Sequence, residues 1–161
     1  MRTWAYYVGR SWGTIVTTYT YPNNHVFYSL LAKLTGSLFK YQPWALRIPA
    51  LIAGIAVIPL IWRLGQRLTD ERTALLACAL VAGSVELTLY STNARGYTLI
   101  TAIFLAMLLI ADDLIGKPSP RGFALLAVLG CVGLYTVPTM SRAALPTTAC
   151  FSAAFCASRT S

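Results

Sequence analysis

Charge is what this sequence has least of, and negative charge above all. Five Asp and Glu stand against thirteen Lys and Arg in 161 residues, and no acidic residue precedes Asp70. Charged side chains make up 11% of the chain, whereas a soluble domain carries about 25%. That shortfall excludes a soluble globular protein. A chain that is 57% apolar with a mean hydropathy of +0.61 is equally far from the composition of disorder. Cysteine is sparse as well: Cys78, Cys131, Cys150 and Cys156 show no CxxC or Cys/His spacing, so they read as small apolar fillers rather than a disulfide frame or a metal site. A compact apolar leader is missing after Arg2, where aromatic and Thr-rich sequence follows. The net charge of +8 is spread between apolar runs, which suits lipid headgroups and excludes nucleic acid as a partner.

The apolar runs predict an all-α integral membrane protein with about four transmembrane helices. Residues 48–62 are free of charge, and Trp44 and Leu64 extend them to the width of a bilayer. Residues 73–92 contain one charge, Glu86; residues 96–111 contain none, with Leu114 and Ile115 beyond the Asp112-Asp113 pair. Residues 122–141 form a fourth run without charge. Pro and Gly within these runs are compatible with membrane helices, which use small residues for close packing.

Residues 24–40 differ in kind. Phe27, Leu30, Leu31, Leu34 and Leu38 fall on one stripe of a 3.6-residue helix, with His25, Ser29, Lys33, Gly36 and Lys40 opposite. This pattern predicts one interfacial amphipathic helix, since a spanning helix would have to hide Lys33; a tilted span with snorkelling lysines is the other reading. The resulting organisation is an outer-loop segment at 1–43, a four-span region at 44–140 and an atypical tail at 141–161. Ala, Ser and Thr supply thirteen of the twenty-one tail residues, which suggests a truncation or a change of reading frame near Met140.

Loop charges divide Arg63, Arg67, Arg72, Lys117 and Arg121 from Lys40, Arg47, Arg95 and Arg142. Five against four weakly favours placing the first group in the cytoplasm. Three polar clusters then share the outer face: Tyr21 to His25, Tyr90 to Tyr97, and Gly133 to Thr139. Asn24 and His25 offer donors and acceptors without a fixed charge, although Pro-Asn-Asn is also ordinary turn and helix-cap sequence. Arg95 can hold a phosphate bidentately, or the segment can be a plain anchored hairpin with interfacial tyrosines. Glu86, four residues before Tyr90, is a functional candidate because it lies inside the apolar run, or a carboxyl hydrogen-bonded to that tyrosine.

Four segments in order carry a resemblance: Tyr-Pro-Asn-Asn-His-Val-Phe-Tyr-Ser-Leu-Leu (21–31), Trp-Ala-Leu-Arg-Ile-Pro-Ala-Leu (44–51), Tyr-Ser-Thr-Asn-Ala-Arg-Gly-Tyr-Thr-Leu (90–99) and Gly-Leu-Tyr-Thr (133–136). Together they resemble the polytopic membrane glycosyltransferases of the GT-C type related to dolichyl-phosphate-mannose protein mannosyltransferases, most of all the bacterial members. The resemblance implies transfer of a sugar from a polyprenyl-phosphate donor to an acceptor hydroxyl, in a multi-pass protein of the bacterial inner (plasma) membrane. It implies donor-binding roles for Asn24, His25, Asn93, Arg95 and Tyr97, with the lipid bilayer, a lipid-linked sugar and an acceptor as partners, and leaves a divalent metal open. It also implies a catalytic Asp in the first outer loop, for which this chain has no match; on that reading the chain is a fragment whose first span precedes Met1. The alternative is a small non-enzymatic membrane subunit or a carrier fragment, and a carrier would gather its polar residues near mid-bilayer.

Overall fold

The computed structural model describes residues 11, 15, 25–93 and 95–136, and within them every regular element is helical. Helix α1 (Val26–Leu38) leads through a 3-10 turn (Ala45–Arg47) into α2 (Ile48–Leu68). Then follow α3 (Glu71–Ala82), α4 (Val85–Thr92), α5 (Tyr97–Gly116) and α6 (Pro120–Thr136). Two segments, Ala45–Leu68 and Tyr97–Gly116, are long and apolar enough to cross a membrane, and the α3-α4 pair makes a third if it is one span; α6 is a shorter apolar helix.

Helix α2 is the central post. Ala53 and Val57 pack against Ala102 of α5, while Ile103 and Met107 on the other side of α5 meet Leu126, Leu129 and Val132 of α6. Large apolar side chains on the outside, among them Ile52, Ile55, Leu76 and Leu80, stay exposed. In water this would be an aggregation surface; in a bilayer it is the lipid-facing coat. Helices approach closely through glycine. A Cβ at Gly54 would stand 2.6 Å from Ser91 Cβ on α4, and one at Gly65 would stand 2.8 Å from Ala74 Cβ on α3. Eleven residues, close to three turns, separate the two glycines, so α2 offers one small-residue face to both halves of the broken pair.

The run expected as a single span over 73–92 is divided. Helices α3 and α4 meet at 57° across Gly83 and Ser84. Gly83 closes α3, and Ser84 starts α4 as its N-cap, its Oγ accepting the Leu87 N–H at 3.3 Å. A serine cap competes with continued helix by satisfying one of the orphan amides of a new helix start. Hydropathy averages over twenty residues and does not register such a break.

Helix α1 forms where its periodicity places it, with its faces assigned in an unexpected way. The polar and small side of the stripe is the packed side: Tyr28, Ser29, Ala32, Lys33 and Gly36 are buried, while Leu34 is 50% and Leu38 69% exposed. Tyr28 anchors that face by donating its hydroxyl to the Leu46 carbonyl at 2.7 Å, in a cluster with Ala32, Leu46 and Ala50. The leucines thus point away from the protein, which is the side a lipid interface would take. Lys33, expected on a solvated face, is 7% exposed.

Candidate functional site

The first residues of α1, the turn between α4 and α5, and the last residues of α6 meet at one end of the helix bundle. Three contacts fix the junction. Thr98 Oγ1 donates to the Ala50 carbonyl at 3.2 Å, tying the start of α5 to the start of α2. Gly96 is buried between helices: a Cβ there would lie 3.0 Å from Thr136 Cγ2, 3.3 Å from Tyr28 Cβ and 3.4 Å from His25 Cβ. The rings of His25 and Tyr97 meet edge to face with centroids 4.9 Å apart, and Tyr90 stacks at a tilt on Tyr97 at the same separation.

Four of the five residues singled out in the sequence can be placed, and they are neighbours here. His25 is the N-cap residue of α1 without making a side-chain cap bond. Asn93 is the C-cap of α4, and the Arg95 N–H donates to its carbonyl at 2.8 Å, turning the chain sharply between the helices. Asn93 and Arg95 are exposed, and Tyr97 is half-buried as the first residue of α5. Asn24 lies outside the described residues, as do the tail at 141–161, Arg142, Cys150 and Cys156.

The surroundings of His25 favour its neutral imidazole. Burial lowers its pKa below 6.5, the positive charge of Arg95 lowers it further, and a hydrogen bond to the Thr136 main chain opposes them. Its Nδ1 is buried with no hydrogen-bond partner among the described residues, and so is the Oγ of Ser29 one turn later. Sequence reasoning placed Ser29 on the polar side of the stripe but assigned it no role. The available signal was its four-residue spacing from His25, which puts both on one face.

The carboxylates lie elsewhere. Arg67, near the end of α2, pairs with Asp112 at 3.2 Å and Asp113 at 2.7 Å and also donates to the Leu109 carbonyl, which fastens α2 to the end of α5. Asp70 caps α3, and hydrogen bonds from the Thr73 hydroxyl and amide, with one from the Arg72 amide, hold its pKa below 3.8. Asp70, Glu71, Asp112 and Asp113 therefore share the end opposite Arg95. Glu86 is in the first turn of α4, exposed, where a helix N-terminus favours a carboxylate. The hydrogen bond between Glu86 and Tyr90, one of two readings of the sequence, does not form among the described residues; Tyr90 turns to Tyr97 instead. No group of three or more His, Cys, Asp or Glu suited to a metal ion gathers among the described residues. Of the cysteines described, Cys78 is buried and Cys131 exposed, both free.

A profile described as dolichyl-phosphate-mannose-protein mannosyltransferase matches residues 24–159. The chain belongs to this family. Membership makes it a multi-pass membrane protein of glycosyltransferase type, acting in a lipid bilayer with a lipid-linked sugar donor. The match includes every described residue of the junction as well as most of the Ala-rich tail. No curated protein and no solved structure matches the chain.

Proposed function

We propose that this member of the family takes a sugar from a polyprenyl-phosphate donor and passes it to an acceptor hydroxyl at the outer face of a bacterial inner membrane. The observation that supports the reading is the convergence of His25, Asn93, Arg95 and Tyr97 at one helix end, with a cation exposed in a glycine-backed turn. In the reaction the acceptor oxygen bonds to the anomeric carbon as the bond from that carbon to the phosphate oxygen breaks. Negative charge grows on the departing polyprenyl phosphate. The planar guanidinium of Arg95 is suited to meet it with two parallel hydrogen bonds, while Asn93 and Asn24 orient hydroxyls of sugar or acceptor. Residues 1–43 then belong to the first outer loop, with α1 lying along the interface on its leucines.

The acceptor hydroxyl must lose a proton as the new bond forms. Four of the five carboxylates stand at the opposite end of the bundle. Glu86 is six residues below the end of α4, about 9 Å at 1.5 Å per residue, so none of the five is assigned this role.

The test is binding of a polyprenyl-phosphate mannose to the full-length chain in detergent. Arg95→Lys should weaken binding by tenfold or more, because lysine keeps the charge and loses the fork. Equal binding by wild type and Arg95→Lys would overturn the role given to the arginine.

A further inference from the structure

The corner between α1 and α2 has no part in the reading above. Helix α1 is 13 residues long, so the corner stands about 20 Å from His25 at 1.5 Å per residue, and it leads straight into the span that begins at Ala45. Its backbone is tightly turned. Lys40 and Tyr41 both take left-handed conformations, at φ 53° and 55°, a region that residues with a Cβ rarely enter. Two contacts hold them there. The Tyr41 N–H donates to the Gly36 carbonyl at 2.7 Å, and the Tyr41 ring lies on Gly36, where a Cβ would stand 2.9 Å from the Tyr41 Cδ1.

The turn keeps large rings on the outside. Phe39 and Trp44 pack at a tilt with centroids 5.0 Å apart, yet Phe39 is 44%, Tyr41 43% and Trp44 54% exposed. In the chain they lie between the exposed Leu38 of α1 and the exposed Leu51 and Ile52 of α2, so they continue the apolar coat at the height where the span begins. Tryptophan and tyrosine favour that height, between hydrocarbon and water. The charge beside them has one sign. Lys40 and Arg47 flank Trp44 in sequence, both are exposed, and neither forms an ion pair among the described residues. With no acidic residue before Asp70, an anion from outside this segment is what complements them. A zwitterionic headgroup brings a cation of its own against Lys40, whereas an anionic headgroup does not.

We propose that the α1-α2 corner is a binding site for the headgroup of an anionic phospholipid of the surrounding bilayer. Phe39, Tyr41 and Trp44 enter the headgroup layer, and Lys40 and Arg47 meet the lipid's negative charge. A lipid held there fixes the height of the far end of α1 above the hydrocarbon. The site goes beyond the transfer reading and does not depend on it, since it lies at the other end of α1 and needs no donor.

The experiment uses the full-length chain in phospholipid vesicles, with Trp4, Trp12 and Trp62 changed to Phe so that Trp44 alone emits. A brominated lipid quenches tryptophan on contact. Brominated phosphatidylglycerol and brominated phosphatidylcholine are each diluted into plain phosphatidylcholine, and the first should quench Trp44 with an apparent affinity about fivefold higher, the effect of roughly one cation on an anionic lipid. Lys40→Gln and raised salt should each bring the two lipids toward equality. Equal quenching by both lipids before any charge is removed would overturn the site, as would a preference that survives in both Lys40→Gln and Arg47→Gln. Bromines near the glycerol end of the acyl chains should quench more than bromines near the methyl end. The reverse order, or no quenching by either, would overturn the placement of the corner in the headgroup layer. If the chain with one tryptophan fails to fold by circular dichroism, the same comparisons are read as the difference between the unaltered chain and its Trp44→Phe variant, with the same outcomes deciding.

Discussion

Gly96 decides whether the arginine turn can reach its neighbours. Its missing side chain lets three segments close on one point, within 3.0 to 3.4 Å of where a Cβ would stand, and two of those neighbours are the Cβ atoms of Tyr28 and His25, which rotamer changes cannot move. Gly96→Ala should therefore displace the turn and weaken binding of a polyprenyl-phosphate mannose several-fold, read by titration, with the helices still formed by circular dichroism. Unchanged affinity would mean that the turn holds no donor. His25 gives a pH signature of its own. Its pKa is lowered in the folded state by burial and by Arg95, so the unfolded chain binds the extra proton first. The stability contributed by the neutral imidazole is complete above pH 6.5 and is lost as pH falls through 6.5 toward the folded-state value. Thermal unfolding in detergent should show this loss between pH 7 and pH 5, and His25→Phe should flatten it; an unchanged slope would refute the assignment. At this scale the sequence was informative about identity. His25, Asn93, Arg95 and Tyr97 stood out through the resemblance and through residue types that suit hydroxyl and phosphate chemistry, and the structure brings them to one helix end. The burial of Ser29 was not legible, because it exists only once the atoms around it are placed.

Among the elements, α1 shows where pattern reading stops. Periodicity placed the helix, since a 3.6-residue stripe is a property of the chain itself. Which face packs is a property of the surroundings. With lipid outside, leucine gains nothing from turning inward, and the small residues of the opposite side allow closer contact with the rest of the bundle, to which the Tyr28 hydroxyl bonds. The division of α3 from α4 escaped for a related reason, since Gly83 and Ser84 are tolerated within a membrane helix and their effect depends on the capping bond of Ser84. The contact between α2 and α4 can be tested directly. Gly54→Ala sets a methyl 2.6 Å from Ser91 Cβ and should destabilise the protein by about 1–3 kcal/mol through overpacking. Removing the obstructing carbon with Ser91→Gly should restore most of it, since the Ser91 Cα is 3.8 Å away. A double-mutant cycle by thermal unfolding should give a coupling of similar size, whereas additive effects would mean that the two helices do not touch there.

Over the whole molecule, chemistry and charge are sorted by end. The aromatic and arginine junction stands where α2 and α5 begin, and the ion pairs of Arg67 with Asp112 and Asp113 stand where those helices finish. The 21 residues of α2 span about 32 Å at 1.5 Å per residue, close to the roughly 30 Å of a hydrocarbon core. The two ends would therefore emerge on opposite sides of a membrane. The sequence already placed the polar clusters at one end, because connections between antiparallel helices alternate sides. Its charge count was a weaker guide, since five cations against four decide little. Thr69 and Thr92, both exposed, mark the two ends. With Cys78, Cys131, Cys150 and Cys156 replaced, single cysteines at Thr69 and Thr92 should react with a membrane-impermeant thiol reagent from opposite sides, Thr92 from outside intact cells and Thr69 only after the membrane is opened. Labelling of both from outside would refute the spanning arrangement of α2. The reverse pattern would keep the span and move the arginine junction to the cytoplasm, where the proposed outer-face transfer could not occur.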